Sequence, residues 1–121
     1  MILADTSVWV DHLRFSNHAL AELLNAGRVL AHPFVTGELA LGNLHQRSII
    51  LDALAEIPRA ITASDDEVLR FIEQRHLFGR GIGYIDVHLL AAVELTAGAQ
   101  LWTYDKRLRR AAEHLGVVSI F

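Results

Sequence analysis

The sequence predicts a three-layer α/β domain with a short, mainly parallel central sheet. Short apolar segments that suit strands alternate along the chain with segments whose apolar residues recur at helical spacing. Parallel strands need crossover connections, which helices normally supply on both faces of the sheet. The chain has 121 residues, 52% of them hydrophobic, which is enough for one core and too little for two. Residues 1–121 are therefore expected to form a single domain.

The first half of the chain is predicted to contain two strands and four helices. The strands are expected at 2–4 and 29–31, and the helices at 7–13, 18–25, 33–44 and 49–56. Gly27 suits the end of the second helix, because glycine readily adopts the left-handed conformation found there. Pro33 suits the first turn of the third helix, and the fourth helix is expected to stop before Pro58.

The second half is predicted to continue the alternation. Strands are expected at 60–61, 101–103 and 117–120, and helices at 64–76, 85–96 and 106–114. Ser64 and Glu67 have the spacing of a capping box at the start of the first of these helices. A glycine-rich loop at 79–83 precedes the second, and Gly98 and Gly116 suit the ends of the second and third.

Composition excludes several classes of protein. The chain has no cysteine, so a disulfide framework and a thiolate zinc site are both impossible. No apolar run approaches the roughly 20 residues of a membrane span, and no secretory leader is recognisable, so a cytoplasmic protein without membrane contact is expected. The net charge of −3 argues against a surface that binds polyanions everywhere, so any nucleic-acid contact must be local.

Three acidic residues lie at the ends of predicted strands or the start of a predicted helix. Asp5 follows the first strand and Asp105 follows the strand at 101–103, where parallel α/β sheets collect their ligand-binding groups. Asp86 lies in the first turn of a very apolar helix. Each also has a structural explanation, since aspartate is a common N-cap and an acid suits the positive end of a helix dipole.

Glu38 has helical neighbours that are all apolar or small, so it is expected to point towards the core. A buried, ionised carboxylate must be protonated, paired or bound to metal, because burying it alone costs several kcal/mol. Together the four acids predict a metal site, since clustered carboxylates repel unless cations intervene. Hard oxygen ligands favour Mg²⁺ or Mn²⁺ over zinc, and the scattered histidines are interpreted as surface or packing residues.

The order and spacing of these motifs resemble the PIN-domain family, and specifically its VapC-type ribonuclease toxins of bacterial toxin–antitoxin pairs. The resemblance rests on short segments spread along essentially the whole chain: Asp5-Thr6-Ser7, Glu38, Gly81-Ile82-Gly83-Tyr84-Ile85-Asp86 and Thr103-Tyr104-Asp105. It implies a PIN-like fold and a metal-dependent endoribonuclease that cleaves structured RNA, commonly a tRNA anticodon loop or a ribosomal RNA loop. One or two Mg²⁺ or Mn²⁺ ions would activate water for attack on a phosphodiester.

The resemblance also implies roles for individual residues and partners. Asp5, Glu38 and Asp86 would be the principal ligands, Asp105 a fourth ligand or an indirect one, and Thr6 and Thr103 hydroxyl contacts near the metal or substrate. The expected partners are a VapB-type antitoxin and a second copy of the chain in a homodimer, with DNA reached only through the antitoxin. Apolar residues on the first helix could line such surfaces, although core packing explains them as well.

An RNA substrate also needs basic groups beside the acidic pocket. The candidates lie in the glycine loop and on the last helix, where a solvated helix face is the alternative explanation: Arg80, Lys106, Arg107, Arg109 and Arg110. The glycine loop lacks the lysine and hydroxyl of a nucleotide-binding P-loop, so nucleotide binding is not inferred.

Three other functions are compatible with parts of the pattern. A phosphorylation-controlled receiver domain needs an acceptor aspartate after a middle strand, where this chain has Ser64 and its capping box. A haloacid-dehalogenase-type phosphatase needs a second aspartate two residues after the first, and that position is Ser7. A catalytically silent PIN-like binding module is the third alternative, and the residues alone do not exclude it.

Overall fold

The computed structural model describes all residues, 1–121, and contains seven helices and three strands. In chain order these are β1 (Ile2–Ala4), α1 (Thr6–Phe15), α2 (His18–Asn25), β2 (Val29–Leu30), α3 (Pro33–Ala40), α4 (Arg47–Glu56), α5 (Asp65–Gln74), α6 (Tyr84–Leu95), β3 (Gln100–Trp102) and α7 (Lys106–Leu115). The predicted alternation is confirmed. The bounds of most elements differ from the predicted ones by one or two residues.

The three strands form a parallel sheet in the order β2-β1-β3. Leu3 of the central strand lies opposite Leu30 of β2 and Leu101 of β3. Because all three strands run in one direction, their carboxyl ends meet at the same edge of the sheet. The segments that follow β1 and β3 carry Asp5 and Asp105 to this edge.

Helices cover the sheet and complete the predicted three-layer α/β/α architecture. A cluster of 28 buried apolar residues forms the core, and α6 contributes a continuous buried segment from Val87 to Val93. This explains why α6 is apolar on all sides: it packs against β3 on one side and α5 on another. None of the helices is long and apolar enough to cross a membrane.

Two predicted strands, at 60–61 and 117–120, are wrong as extended elements. The structure retains a single parallel bridge at each sheet edge, between Ala31 and Arg59 and between Leu101 and Val118. At the first edge, Pro58 accepts a hydrogen bond from the Ala31 N–H but has no N–H of its own to extend the ladder. Each segment therefore pairs through one residue and then leaves the sheet.

Helix α3 ends at Ala40, four residues earlier than predicted. The guanidinium of Arg47, the first residue of α4, donates hydrogen bonds to the Ala40 and Gly42 carbonyl oxygens. These bonds occupy carbonyl groups that a longer α3 would have used within the helix. The Arg47 side chain therefore holds the turn between α3 and α4. The apolar periodicity of α3 gave no sign of this role.

The predicted capping box of α5 is confirmed. The Ser64 hydroxyl accepts from the Glu67 N–H at 3.2 Å, and the Glu67 carboxylate accepts from the Ser64 N–H at 2.9 Å. Helix α5 is also attached to the first turn of α6, since Asp65 accepts from the Tyr84 hydroxyl at 2.8 Å and lies 3.1 Å from the buried His88 ring. These contacts fix the start of α6, which carries Asp86.

Candidate active site

Asp5 lies directly after β1 and is only 6% exposed. It is the N-cap of α1, accepting from the Val8 N–H at 3.2 Å, and it also accepts from the Ser7 hydroxyl at 2.5 Å and from the Thr103 hydroxyl. Burial raises the pKa of the Asp5 carboxyl, while these hydrogen bonds favour the ionised form. The capping explanation of Asp5 is therefore confirmed, and its side chain also makes hydroxyl contacts that a cap does not need.

Thr103 and Ser7 hold Asp5 in place from two sides. Thr103 is 2% exposed, and its hydroxyl both donates to Asp5 and accepts from the Asp105 N–H at 3.0 Å. The Ser7 hydroxyl donates to Asp5 and accepts from the Tyr104 N–H at 3.1 Å. Thr103 is thus a buried residue in direct contact with an acid. Ser7 was quoted for the family resemblance but not predicted as a site residue, although its position two residues after Asp5 was a usable signal.

Asp86 lies in the first turn of α6 and is partly buried. Its carboxylate accepts from the Gly83 N–H at 3.4 Å. Burial raises the pKa of Asp86, the Gly83 bond lowers it, and the charges of the other three acids raise it further, namely Asp5, Asp105 and Glu38. Three acids from other segments of the chain therefore lie near enough to act electrostatically on Asp86.

Asp105 is the exposed N-cap of α7, and it accepts from the Leu108 N–H at 2.9 Å. The capping explanation offered by its sequence context is thus correct. Its position after β3 still places it beside Thr103, and hence close to Asp5.

Glu38 is exposed, so the prediction that it points towards the core is wrong. The buried side of α3 consists of Val35 and Leu39, whereas Phe34 and the 90% exposed Leu41 are apolar neighbours of Glu38 that face outwards. Apolar neighbours therefore did not imply burial here. Glu38 accepts a 2.8 Å hydrogen bond from the Thr6 hydroxyl, which attaches it to the first turn of α1.

The donor types in the pocket fit a hard divalent ion, because they are carboxylates and hydroxyls without sulfur. Burial is the main cause of the raised Asp86 pKa, and the added repulsion from the other three acids is of the kind that a cation relieves. No three histidine, aspartate or glutamate side chains, however, are arranged as a ready-made metal site. One oxygen of Glu38 is held by Thr6 and one of Asp105 by the backbone of α7.

The predicted basic residues are not equivalent in the structure. Arg80, Arg107 and Arg110 line one cavity, while Lys106 is exposed and is not among the residues that line it. Arg109 faces elsewhere and forms an ion pair with Glu113 at 3.3 Å.

Comparisons with known proteins agree with this architecture. The model of the family described as "PIN domain" matches residues 2–114. Two curated relatives, both called Ribonuclease VapC32 and coming from two strains of Mycobacterium tuberculosis (CDC 1551 / Oshkosh and ATCC 25618 / H37Rv), are each 49% identical over 117 residues. These alignments cover 97% of this chain and 94% of each relative. No solved structure gives a significant match. The chain therefore belongs to the PIN-domain family, and the VapC-type resemblance indicated by its motifs is confirmed.

Proposed function

We propose that this protein is a Mg²⁺- or Mn²⁺-dependent endoribonuclease, the toxin of a VapBC-type pair, and that it cleaves structured RNA at the four-carboxylate pocket. One observation carries this proposal: the Thr103 hydroxyl donates to the buried Asp5 and accepts from the Asp105 N–H, so two of the acids are held together at one edge of the sheet. Burial raises the pKa of the nearby Asp86, and the charges of the other three acids raise it further. Clustered charges of one sign weaken folding unless a cation relieves their repulsion, so such a cluster is expected to serve a function. The relatives called ribonucleases indicate which function.

Asp5, Glu38 and Asp86 are the proposed principal ligands, with Asp105 as a fourth or indirect one. A divalent ion bound there supplies an activated water and positive charge that stabilises the phosphate oxygens during hydrolysis. Asp5 is the most rigid of these groups, because three hydrogen bonds fix it. No three acids are arranged as a ready-made metal site. The exposed Glu38 and the partly buried Asp86 would therefore have to reorient towards Asp5 when an ion binds.

Thr103 and Ser7 are proposed as positioning residues. Each hydroxyl donates to Asp5, which stabilises the ionised form against the burial that raises its pKa. An ionised, correctly oriented Asp5 is what a hard cation needs. Thr6 is proposed to position Glu38 in the same way, because its hydroxyl donates to the Glu38 carboxylate.

A VapB-type antitoxin is the proposed protein partner, with a homodimer of this chain in the complex and DNA contacted only by the antitoxin. A groove of about 520 Å³ lies between α1, α3 and the turn after α3, and includes Leu13, Phe15 and Leu39. Phe15 is 76% exposed and contributes to the apolar part of this lining. Glu38 borders the same groove. The groove therefore suits a segment with apolar side chains and a basic residue that reaches the acids.

A catalytically silent binding module is the second candidate, and it is favoured by the helix-capping roles of Asp5 and Asp105, which give both acids a structural purpose without a metal. The two candidates predict different results with purified protein and a structured RNA. A nuclease produces defined cleavage products with Mg²⁺ or Mn²⁺ and none with excess chelator. A silent module produces none in either condition.

The Asp5→Asn variant tests whether the acids are responsible. An amide keeps an acceptor for the Val8 N–H, so the fold should persist, but it is a poor ligand for a hard cation. We expect a loss of cleavage of at least about 100-fold with an unchanged circular dichroism spectrum. The control is Asp52→Asn, which changes an exposed acid on α4 and should cleave normally. Full activity in folded Asp5→Asn protein would refute the proposal.

A further inference from the structure

We propose that Arg80, Arg107 and Arg110 form a separate phosphate-binding pocket that holds a non-scissile phosphate of the RNA strand. This three-arginine pocket gives the substrate a second point of attachment beside the acids. The proposal deepens the proposed nuclease function and rests on it for the identity of the ligand.

The pocket has the size and lining of an anion site. Its cavity is about 210 Å³, and its lining consists of the three arginines and Ala111. Pockets for drug-sized ligands or cofactors are larger, about 300–1,000 Å³, and mostly apolar. A phosphate group with a few waters fits this description better than a nucleobase or an apolar peptide side chain does.

The three guanidinium groups have no acidic partner within the chain. The ion pairs made by arginines use Arg75 with Glu94 and Arg109 with Glu113. Arg80 donates through Nε to the His76 carbonyl at 2.9 Å, which leaves its terminal nitrogens for a ligand. Three like charges around one cavity repel one another, so an anion that enters relieves this repulsion and accepts forked hydrogen bonds.

The glycine loop is shaped around one of these arginines. Gly81 has φ +73°, and a Cβ placed on it would lie 2.8 Å from Nη1 of Arg107. The absence of a side chain therefore lets the guanidinium lie against the loop backbone. This contact joins the loop before α6 to the first turn of α7.

Both segments that supply the arginines, α7 and the glycine loop, are adjacent in sequence to acids of the proposed site. Arg107 follows Asp105 by two residues on α7, and Arg110 lies one further turn along, roughly 7 Å from Asp105 along the helix axis. On the other side, the glycine loop ends at Gly83, whose N–H is bonded to Asp86. An RNA strand that passes four acids needs positively charged groups beside them to hold its phosphates. Because the protein has a net charge of −3, such groups must be provided locally, as these arginines are.

RNA binding without cleavage tests this pocket directly. Fluorescence anisotropy in excess chelator measures the affinity of full-length protein for single-stranded RNAs of two different sequences at several salt concentrations. We expect Arg107→Gln and Arg110→Gln each to weaken binding about tenfold, equally for both sequences, because phosphates carry no base information. Each variant should also reduce the slope of log affinity against log salt by roughly 0.7.

The matched control is Arg28→Gln, which removes the same charge just before β2, at the opposite edge of the sheet. It should leave both affinity and salt slope unchanged. A titration with inorganic phosphate, followed by NMR, should shift the Gly81 and Arg107 amide signals in the wild type but not in Arg107→Gln.

Unchanged RNA affinity and salt slope in both arginine variants would overturn the proposal. So would variants that bind RNA normally but lose an acidic peptide partner, because the pocket would then belong to a protein contact. Failure of the nuclease proposal gives a different pattern: RNA binds through the arginines, and no cleavage occurs with any metal. If cleavage occurs and the arginines have no effect, only the pocket is refuted.

Discussion

Thr103 donates its hydroxyl hydrogen bond to Asp5 across 98 residues of sequence. The two residues follow neighbouring parallel strands, so the bond ties together the carboxyl ends of β1 and β3. The same hydroxyl accepts from the Asp105 N–H. One buried threonine thus orients one acid by its side chain and a second acid by its backbone.

Replacing Thr103 with valine should impair both stability and cleavage. Thr103→Val preserves the shape but leaves the Asp105 N–H and one Asp5 oxygen without a partner, at a cost of about 1–3 kcal/mol. Cleavage should fall at least about tenfold, since Asp5 loses its fixed orientation. Urea unfolding and RNA cleavage measure the two effects.

Two further variants separate positioning from stability. Thr103→Ser keeps the hydroxyl and should restore most of the cleavage. Thr96→Val removes hydroxyl bonds to Ala92 and Ile61 at the far end of α6, and should lose stability while cleavage is kept. Equal losses of cleavage in Thr103→Val and Thr96→Val would show that Thr103 acts only through stability.

Glu38→Gln should reduce cleavage with little effect on folding. Glu38 is exposed, and a glutamine still accepts the Thr6 hydroxyl bond, so the free energy of unfolding should change by less than about 0.5 kcal/mol. Cleavage should fall at least about tenfold, because the amide is a weak metal ligand. Glu22→Gln, on the exposed face of α2, is the control. Normal cleavage by Glu38→Gln would remove Glu38 from the site.

The sequence predicted the sheet edge and three of the four acids in their observed local settings, because capping and strand ends depend on residues close in the chain. It misjudged Glu38 because the argument assumed that apolar helical neighbours are buried. Phe34 is 38% exposed and Leu41, just beyond α3, is 90% exposed, so the side of the helix that carries Glu38 is open surface despite its apolar residues. Local sequence cannot distinguish such a face from one that packs in the core.

The basic residues show a second limit of the sequence. Five candidates were predicted, and the sequence contained no means of choosing among them. The contact between Gly81 and Arg107 brings together segments 26 residues apart and decides which arginines share a cavity. The two predicted edge strands were wrong for a similar reason. Whether such a segment pairs with the sheet depends on distant residues, and at Val118 the pairing is limited to a single residue.

Asp86→Asn should stabilise the metal-free protein at neutral pH. The folded pKa of Asp86 is raised above its usual 3.8, so the ionised form is disfavoured in the folded state. Stability is therefore lost as pH rises through the window from 3.8 up to the raised value, and the loss persists at pH 7. The variant avoids this loss, so its Tm in excess chelator at pH 7 should be higher than that of the wild type.

A divalent ion should reverse the order of the Tm values of the wild type and Asp86→Asn. Mg²⁺ or Mn²⁺ relieves the repulsion in the wild type and should raise its Tm more than that of Asp86→Asn. Asp52→Asn, the exposed control, should follow the wild type in both conditions. A lower Tm for Asp86→Asn in chelator would contradict the electrostatic account of the pocket.

His32 should make the protein sensitive to mild acid. It is 1% exposed and caps α3 through Nδ1, and burial, with the charges of His88 and Arg59, lowers its pKa to about 4. The unfolded chain binds a proton near pH 6.5, so stability is lost as pH falls from 6.5 towards 4. Between pH 7 and pH 5 the loss should be about 2 kcal/mol.

The His32→Asn variant tests this assignment. Asparagine is a good N-cap but does not titrate, so the difference in unfolding free energy between pH 7 and pH 5 should shrink by about 1–2 kcal/mol. Urea unfolding at both pH values measures this difference for each protein. A packing loss in the variant lowers its stability at both pH values and therefore cancels in the difference. Parallel pH profiles for the two proteins would show that His32 is not the responsible group.

Restoration of cleavage by metal ions tests the central claim most directly. Wild-type protein is stripped with chelator, dialysed and mixed with a structured RNA, after which Mg²⁺ or Mn²⁺ is added in steps. We predict no cleavage before the addition and saturable cleavage after it. Asp5→Asn and Asp86→Asn should remain inactive throughout, and Asp52→Asn should behave as the wild type. Cleavage that persists in chelator, or that the ions restore equally in Asp5→Asn, would contradict a nuclease whose four carboxylates act by holding a divalent ion.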